Sequence, residues 1–229
     1  MKKIFFICIA QLLLISCLGQ KNKTITHNST TMQYSVLTKD FEKFDAILYE
    51  QMLYEQKKKH GYNTVGVGKN LPTGTYLELG KVDSGAAFRE TEKDAYFTLT
   101  KSYYPNNNIK MKGLYFNVTW GGFKKGIWYE FDQNGKLVKE TDYDKPYKVT
   151  FEHILEFCKR EGIEVKKGPI LQGTGFHTMI KRSESKFLID NSAIWEIEWL
   201  KKPDVIEKIT LDGITGKVLG RKEVPYINN

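Results

Sequence analysis

A single turn signal in the middle of the chain restricts its fold more than any other feature. Asn134-Gly135 lies between two runs of aromatic and β-branched residues, and this dipeptide readily adopts a positive φ, so it predicts a β-hairpin. A two-residue loop would place Phe131 opposite Val138, whereas a three-residue loop with Gly135 in a bulge would pair Phe131 with Leu137. Because a slip of one residue exchanges the two faces of a strand, the choice matters, and the sequence leaves both registers open.

The same hairpin region is rich in aromatic side chains. Trp120, Trp128, Tyr129 and Phe131 fall within twelve residues. Such aromatics are favoured anchors of protein interfaces, so these four are the candidate contacts with a partner. The alternative is that the rings fill the space between sheets. Alternation along a strand places Trp128 on the opposite face from Tyr129 and Phe131, so both faces of the hairpin need cover.

The N-terminus predicts an export signal. Met1-Lys2-Lys3 is a short positive segment, and residues 4–15 are apolar apart from Gln11. This run is too short to span a bilayer comfortably and has the length of a signal-peptide core. This segment alone would fit a plain secretory peptide or a retained membrane helix.

Leu14-Ile15-Ser16-Cys17 resembles the bacterial lipobox, which has Leu three residues before Cys and a small residue directly before it. The resemblance implies cleavage before Cys17, lipidation of its thiol and new amino terminus, and a place on a membrane of the bacterial cell envelope, periplasmic or at the cell surface. Acyl burial contributes about 0.8 kcal/mol per methylene. Residues 1–16 are then the signal peptide, and residues 17–37, which are polar over residues 20–33, form a tether.

Charge and cysteine content argue against several functions. Removal of residues 1–16 takes away two lysines, so the net charge falls from +8 to +6. The basic residues are spread along the chain without a nucleic-acid reader motif, so no nucleic-acid partner is expected. With Cys8 removed and Cys17 lipidated, Cys158 is the remaining thiol, which rules out an internal disulfide. The four histidines lack metal-ligand spacing, and neither a metal nor a cofactor is expected.

The segment before the hairpin predicts a helix followed by short strands. Thr38 or Asp40 can cap a helix over residues 41–59 that ends at Gly61. Its apolar positions recur at helical spacing: Phe41, Phe44, Leu48 and Met52. Strands are predicted over residues 62–67, 75–79 and 95–103.

A weak internal repeat follows these strands. Residues 104–113 can be laid over residues 131–140 with an offset of 27, each copy having an aromatic, an Asn-bearing turn and a lysine-flanked apolar residue. The pattern resembles the MORN-like hairpin repeats of bacterial antitoxin-like proteins, although the first copy has Asn107-Asn108 where Asn-Gly is the rule. The resemblance implies structural units and brings no catalytic residue. Residues 38–146 are predicted to form one domain of helix and antiparallel strands.

Residues 147–229 predict a second unit that begins with a helix. Thr150 can cap this helix, which ends at Gly162. Its apolar face contains Phe151, Ile154, Leu155 and Cys158. Cys158 is therefore expected to be a buried thiol, and His153, which lies off this face, is expected to face solvent.

Strands complete this second unit. They are predicted over residues 175–181, 186–189, 193–200 and 205–211, and Trp195, Ile197 and Trp199 share one face of the third. The closing turn has the sequence Asp-Gly-Ile-Thr-Gly-Lys over residues 212–217. Together with the helix it resembles the PepSY domain over about residues 147–224, which implies exported, often peptidase-associated or inhibitory roles without a fixed activity.

No catalytic arrangement is apparent in the sequence. Glu196 and Glu198 share a strand face and would be a conceivable acid/base pair, but a solvated outer face explains them more simply. The predicted fold is α+β: antiparallel sheets with β-hairpin repeats, one N-terminal helix, and a C-terminal helix-plus-sheet unit. The predicted function is that of a lipid-anchored envelope protein that binds another envelope protein, such as a peptidase or toxin, without catalysis. The alternatives are an envelope enzyme with a dispersed polar site and a structural envelope component.

Overall fold

Helices and antiparallel strands alternate in blocks along the chain. The structure is a computed structural model that describes residues 37–61, 64–118, 121–170, 175–184 and 193–226. Within these residues there are two helices and two antiparallel sheets, of seven and four strands. The predicted α+β class with antiparallel sheets is confirmed.

The elements have the following bounds. Helix α1 covers Ala46–His60 and helix α2 covers Phe151–Arg160. The seven-stranded sheet is a meander in which each strand pairs with the next: β1 Gly66–Asn70, β2 Tyr76–Val82, β3 Gly85–Thr91, β4 Phe97–Tyr103, β5 Ile109–Phe116, β6 Lys124–Phe131 and β7 Leu137–Asp142. The four-stranded sheet contains β8 Met179–Glu184, β9 Ala193–Lys202, β10 Val205–Asp212 and β11 Val218–Pro225, in the spatial order β11-β10-β9-β8.

Helix α1 starts later than the sequence predicts. Its N-cap is Asp45, whose Oδ1 accepts a hydrogen bond from the Leu48 N–H at 2.8 Å, so the prediction of Thr38 or Asp40 as the cap is wrong. Residues 42–44 are extended because they hydrogen-bond to residues 107–109 beside the sheet. The predicted end is confirmed, since Gly61 has a φ of 79° and its N–H donates to the carbonyl of Lys57.

The central hairpin adopts the three-residue loop. Phe131 pairs with Leu137, Gly135 has a φ of 86°, and the register shifts between Glu130 and Phe131. The preceding hairpin has the same turn, because the hydrogen bonds within residues 104–108 are repeated within residues 132–136, an offset of 28 rather than 27. Asn107 takes the position of Gly135 with a φ of 66°, which Asn tolerates better than most residues.

Strand β3 is absent from the sequence prediction. Its residues, Gly-Ala-Ala-Phe-Arg-Glu-Thr, are poor in strand formers and show no regular alternation. The strand forms because β2 and β4 pair with it on both sides. Strand β1 also lies later in the chain than predicted, and part of its predicted range, residues 62 and 63, is outside the described residues.

Two apolar clusters lie on one face of the seven-stranded sheet, which we call the covered face. The first cluster joins this face to α1 and includes Tyr49, Met52, Tyr103 and Phe131. The second cluster joins the far end of the same face to α2 and the four-stranded sheet, through aromatic and aliphatic side chains such as Phe116, Phe123, Phe151, Trp195 and Ile197. The two sheets therefore share one core, and a domain boundary at residue 146 stays a prediction.

The C-terminal elements follow the sequence prediction closely. Thr150 is the N-cap of α2, and His153 at the third helical position accepts a hydrogen bond from the Thr150 N–H at 3.0 Å. Cys158 is buried and His153 is exposed, as predicted. Trp195 and Ile197 are also buried on the inner face of β9. Strand β8 begins four residues later than predicted, and the strand predicted over residues 186–189 lies outside the described residues.

Arg182, on β8 of the four-stranded sheet, contacts the seven-stranded sheet and so links the two sheets. Its guanidinium lies 4.6 Å from the ring of Phe123 and 4.7 Å from that of Tyr147, and it also donates to the carbonyl of Lys124. The same group is 2.7 Å from the carboxylate of Asp144. Burial disfavours the charged form of Asp144, but hydrogen bonds from Lys125 and Arg182 outweigh it and hold the pKa of this carboxyl below its usual value.

Candidate contact surface on the seven-stranded sheet

The four aromatic residues predicted as partner contacts have different positions. Trp128 and Phe131 are each 2% exposed, so a partner cannot reach these side chains unless the chain rearranges. Tyr129 is half-buried, and Trp120 lies outside the described residues, as does the predicted lipidation site Cys17. Phe131 and Tyr129 pack in the cluster under α1, whereas Trp128 lies on the opposite face of the sheet. The contact role of these residues stays a prediction.

The face that carries Trp128 is the second face of the meander, which we call the open face. Strand register places one residue of each strand in a row across it: Gly68, Glu78, Arg89, Thr100, Gly113, Trp128 and Thr141. All members of β1–β7 in the two apolar clusters point to the covered face instead. Antiparallel sheets commonly have one face against a core and one toward solvent. The open face contains exposed positions, such as Ala87 and Arg89, and buried ones, such as Thr98 and Trp128.

Trp128 is the largest side chain in this row, and Gly113 leaves room for it. The indole lies directly over Gly113, where a Cβ would overlap the ring, and its N–H donates to the carbonyl of Leu114 at 3.0 Å. Gly126 has a φ of 63°, and three residues of β6 oppose Gly113 alone, so the strand bulges at this point. The bulge turns Trp128 flat onto the sheet. The indole is thus held in one orientation.

Lys124 places a positive charge beside this indole. Its Nζ lies 4.4 Å from the ring centroid of Trp128 and 4.8 Å from that of Tyr143, within the range of cation–π attraction. The ammonium donates to the Tyr143 hydroxyl at 3.1 Å and to the Met111 sulfur at 3.6 Å. Lys124 occurs in none of the ion pairs between described residues, so no described carboxylate lies within 4.0 Å of its Nζ.

Two pairs of opposite charges on the open face neutralise one another. Arg89 lies 3.8 Å from the carboxylate of Glu78, and Lys139 lies 3.6 Å from that of Glu130. Two hydroxyl oxygens in the row, those of Thr100 and Thr141, are buried without a hydrogen-bond partner. Unsatisfied buried polar atoms are uncommon in folded proteins. The open face therefore combines an ordered indole, an ammonium without a carboxylate and two unused hydroxyls.

A second arrangement of charges lies on the covered face. Lys101 and Lys112 are directly opposite each other on β4 and β5, and the carboxylate of Glu42 lies between them. Sequence reasoning did not identify Lys124 or this lysine pair. Alternation along β4 would have placed Lys101 on the same face as Tyr103, and a lysine among buried positions is the signal that was available.

Of the two carboxylates considered for catalysis, Glu198 is paired with cations. Glu196 is exposed, while Glu198 contacts Lys181 at 2.9 Å and Lys208 at 3.3 Å. Although burial raises the pKa of Glu198, these two lysines outweigh it, so the pKa lies below its usual value. A general acid at neutral pH needs a raised pKa, and Glu198 has the opposite shift.

The described residues contain no group of three or more His, Cys, Asp or Glu side chains that could hold a metal ion. Neither α1 nor α2 has the length and apolar character to cross a bilayer. No family model, no curated protein and no solved structure matches the chain.

Proposed function

We propose that the chain is a lipid-anchored protein of the bacterial envelope that binds another protein through the open face of its seven-stranded sheet. The lipobox-like Leu14-Ile15-Ser16-Cys17 and the polar residues 20–33 of the tether support the anchor. The observation that carries the binding role is Lys124, an ammonium held between two aromatic rings without a carboxylate partner in the described residues. Because Trp128 is buried, the ammonium of Lys124 rather than the indole is the group that a partner would contact.

The charge pattern also indicates what the partner supplies. Since Arg89 pairs with Glu78 and Lys139 pairs with Glu130, the unbalanced charge beside Trp128 on the open face is that of Lys124. An acidic side chain of the partner would complete this site and accept a charge-assisted hydrogen bond. Lysine has three donors, of which the Tyr143 hydroxyl and the Met111 sulfur take two. The partner therefore presents an Asp or Glu at the point of contact.

The family resemblances belong to this proposal as well. The repeated turn at residues 104–108 and 132–136 supports hairpin repeats of the MORN-like kind, which act as structural units that present a sheet face. The capped helix α2, the four-stranded sheet and the turn at residues 212–217 support a PepSY-like unit. Both resemblances suit a binding protein of the envelope, with a peptidase or toxin among the candidate partners.

The anchor is tested by replacing Cys17. We expect Cys17→Ser to remain unprocessed or to leave the membrane fraction, because acyl chains can no longer attach to the thiol. Cells are labelled with radioactive palmitate, and the protein is isolated and counted. Equal labelling of the wild type and Cys17→Ser would overturn the lipid anchor.

The contact surface is tested by capture from solubilised membranes. Lys124→Met removes the charge and keeps the side-chain length, so we expect normal folding and at least a ten-fold loss of the captured partner. Lys208→Met is the matched control, because Lys208 is a lysine of the four-stranded sheet that already pairs with Glu198. Equal capture by both variants would show that the open face is not the contact surface.

A further inference from the structure

Residues 40–44 lie on the covered face in the manner of a bound peptide. This segment precedes α1 and is extended, with Lys43 bridged to Asn108 at the end of the sheet. Its backbone makes two hydrogen bonds there. The Phe44 N–H donates to the main-chain carbonyl of Asn107 at 2.8 Å, and the Ile109 N–H donates to the main-chain carbonyl of Glu42 at 3.0 Å. Extended peptides are commonly recognised through main-chain hydrogen bonds together with pockets for their side chains.

The side chain of Glu42 occupies a site made by two lysines. Its carboxylate lies 2.6 Å from Lys101 Nζ and 2.8 Å from Lys112 Nζ, and Lys112 also donates to the main-chain carbonyl of Asp40 at 2.6 Å. The lysine side chains are 8% and 2% exposed, whereas that of Glu42 is 28% exposed. The carboxylate therefore stands at the mouth of a site whose walls are buried cations.

This lysine pair is costly for the fold on its own. Like charges directly opposite each other in a sheet repel, and buried charges lose hydration that only close partners can replace. One carboxylate balances one of the two ammonium groups. The site thus has capacity for more negative charge than Glu42 supplies, which is a property of an anion-binding site rather than of a minimal structural ion pair.

Aromatic side chains define the two ends of the segment. Phe44 is buried against Tyr49 and Tyr103, with ring centroids 5.9 Å and 5.3 Å away. Phe41 lies against the hairpin turn, where a Cβ on Gly135 would overlap its ring. The covered face therefore contacts an aromatic residue, a carboxylate and a second aromatic residue of this segment, in the order Phe-Glu-x-Phe.

We propose that Lys101, Lys112 and the surrounding surface form a peptide-binding site for extended acidic–aromatic segments, which residues 41–44 occupy in the isolated chain. A partner segment with the same chemistry, or with a carboxylate for each lysine, displaces residues 41–44. The chain's own segment is always present at high effective concentration, so it lowers the apparent affinity for any competitor. The site lies on the covered face and does not depend on the open face or on the lipid anchor.

The test uses a fluorescent peptide with the sequence of residues 38–45 and the full-length chain. We expect Glu42→Gln, which weakens the internal occupant, to bind this peptide at least ten-fold more tightly than the wild type in an anisotropy titration. Adding Lys101→Met, or replacing Glu by Gln in the peptide, should abolish that gain. Lys124→Met should leave peptide binding unchanged, which separates this site from the open face. Equal binding to the wild type and Glu42→Gln, or undiminished binding after Lys101→Met, overturns the proposal.

A second measurement covers the case in which Glu42→Gln fails to fold. The wild type is incubated with the same peptide carrying benzoylphenylalanine at the place of Phe41, and is then irradiated. Displacement of residues 41–44 brings the photoreactive ring to the turn at residues 132–136, so mass spectrometry should find the adduct there. An adduct elsewhere, or none at saturating peptide, overturns the proposal.

Discussion

Replacing Gly113 by alanine should destabilise the protein only while Trp128 lies over it. The backbone of Gly113 is not in the left-handed region, so alanine itself introduces no backbone strain at this position. The new methyl group would overlap the indole of Trp128, which is 2% exposed and fixed by its hydrogen bond to Leu114. The ring must therefore move or the strands must separate.

The size of the effect follows from the two single substitutions. Overpacking of this kind costs about 1–3 kcal/mol, and removal of a buried tryptophan side chain costs about 3–5 kcal/mol. Once Trp128 is alanine, the methyl group at Gly113 has space, and alanine is favoured over glycine in a strand by about 0.5–1 kcal/mol. The double variant should then be more stable than the sum of the single changes by about 1.5–4 kcal/mol.

Urea denaturation of the wild type, both single variants and the double variant measures this coupling. Gly220→Ala is the matched control, because Gly220 is also a strand glycine outside the left-handed region and has no atom within 4 Å of a Cβ. It should change the free energy of unfolding by less than about 1 kcal/mol in either direction. Additive effects at Gly113 and Trp128 would refute the reasoning, since the indole would then not rest on the glycine.

Three further outcomes are expected. The pKa of Asp144 in the folded protein lies below its usual value, so its stabilising contribution is present above about pH 4 and is lost as the pH falls through the folded pKa. In titrations from pH 6 to 2, Asp144→Asn should therefore make the decrease of the unfolding free energy with falling pH shallower. Burial raises the pKa of Cys158 to about 12. At neutral pH, iodoacetamide should therefore label this thiol in the folded protein at least a hundred-fold more slowly than in the urea-unfolded protein. Equal labelling rates would contradict its burial. Gly135→Ala and Gly126→Ala both place alanine at a positive φ, which costs about 1–2 kcal/mol of stability. In thermal melts, Gly135→Ala should be destabilised by about 1 kcal/mol more than Gly126→Ala, because its methyl group meets the ring of Phe41.

The parts of the fold with strong local signals were predictable from the sequence. Helix α2 has a capping threonine and a regular apolar stripe, and the alternation of Trp195, Ile197 and Trp199 defines the inner face of β9. The turn at Asn134-Gly135 was predictable for the same reason. Its register was not, because the two loop lengths differ by one residue and the choice depends on the partners that each face of the hairpin meets.

The remaining features depend on contacts between distant residues. Helix α1 starts at Ala46 rather than near residue 41 because Glu42 lies between two lysines that are 59 and 70 residues away in the chain. The open face has a similar origin. A tryptophan in the sequence carries no sign that a glycine on the neighbouring strand will lie beneath it, or that Lys124 will stand beside its ring without a carboxylate.

Site-specific photo-crosslinking in living cells tests the central claim of binding through the open face most directly. A photoreactive amino acid is placed at Ala87, which is exposed on the open face beside Arg89, and in a second strain at Lys222, which is exposed on β11 at the edge of the four-stranded sheet. The account predicts a discrete adduct between the protein and another envelope protein from position 87, and none from position 222. Absence of an adduct at position 87, or the same adduct from both positions, would contradict it.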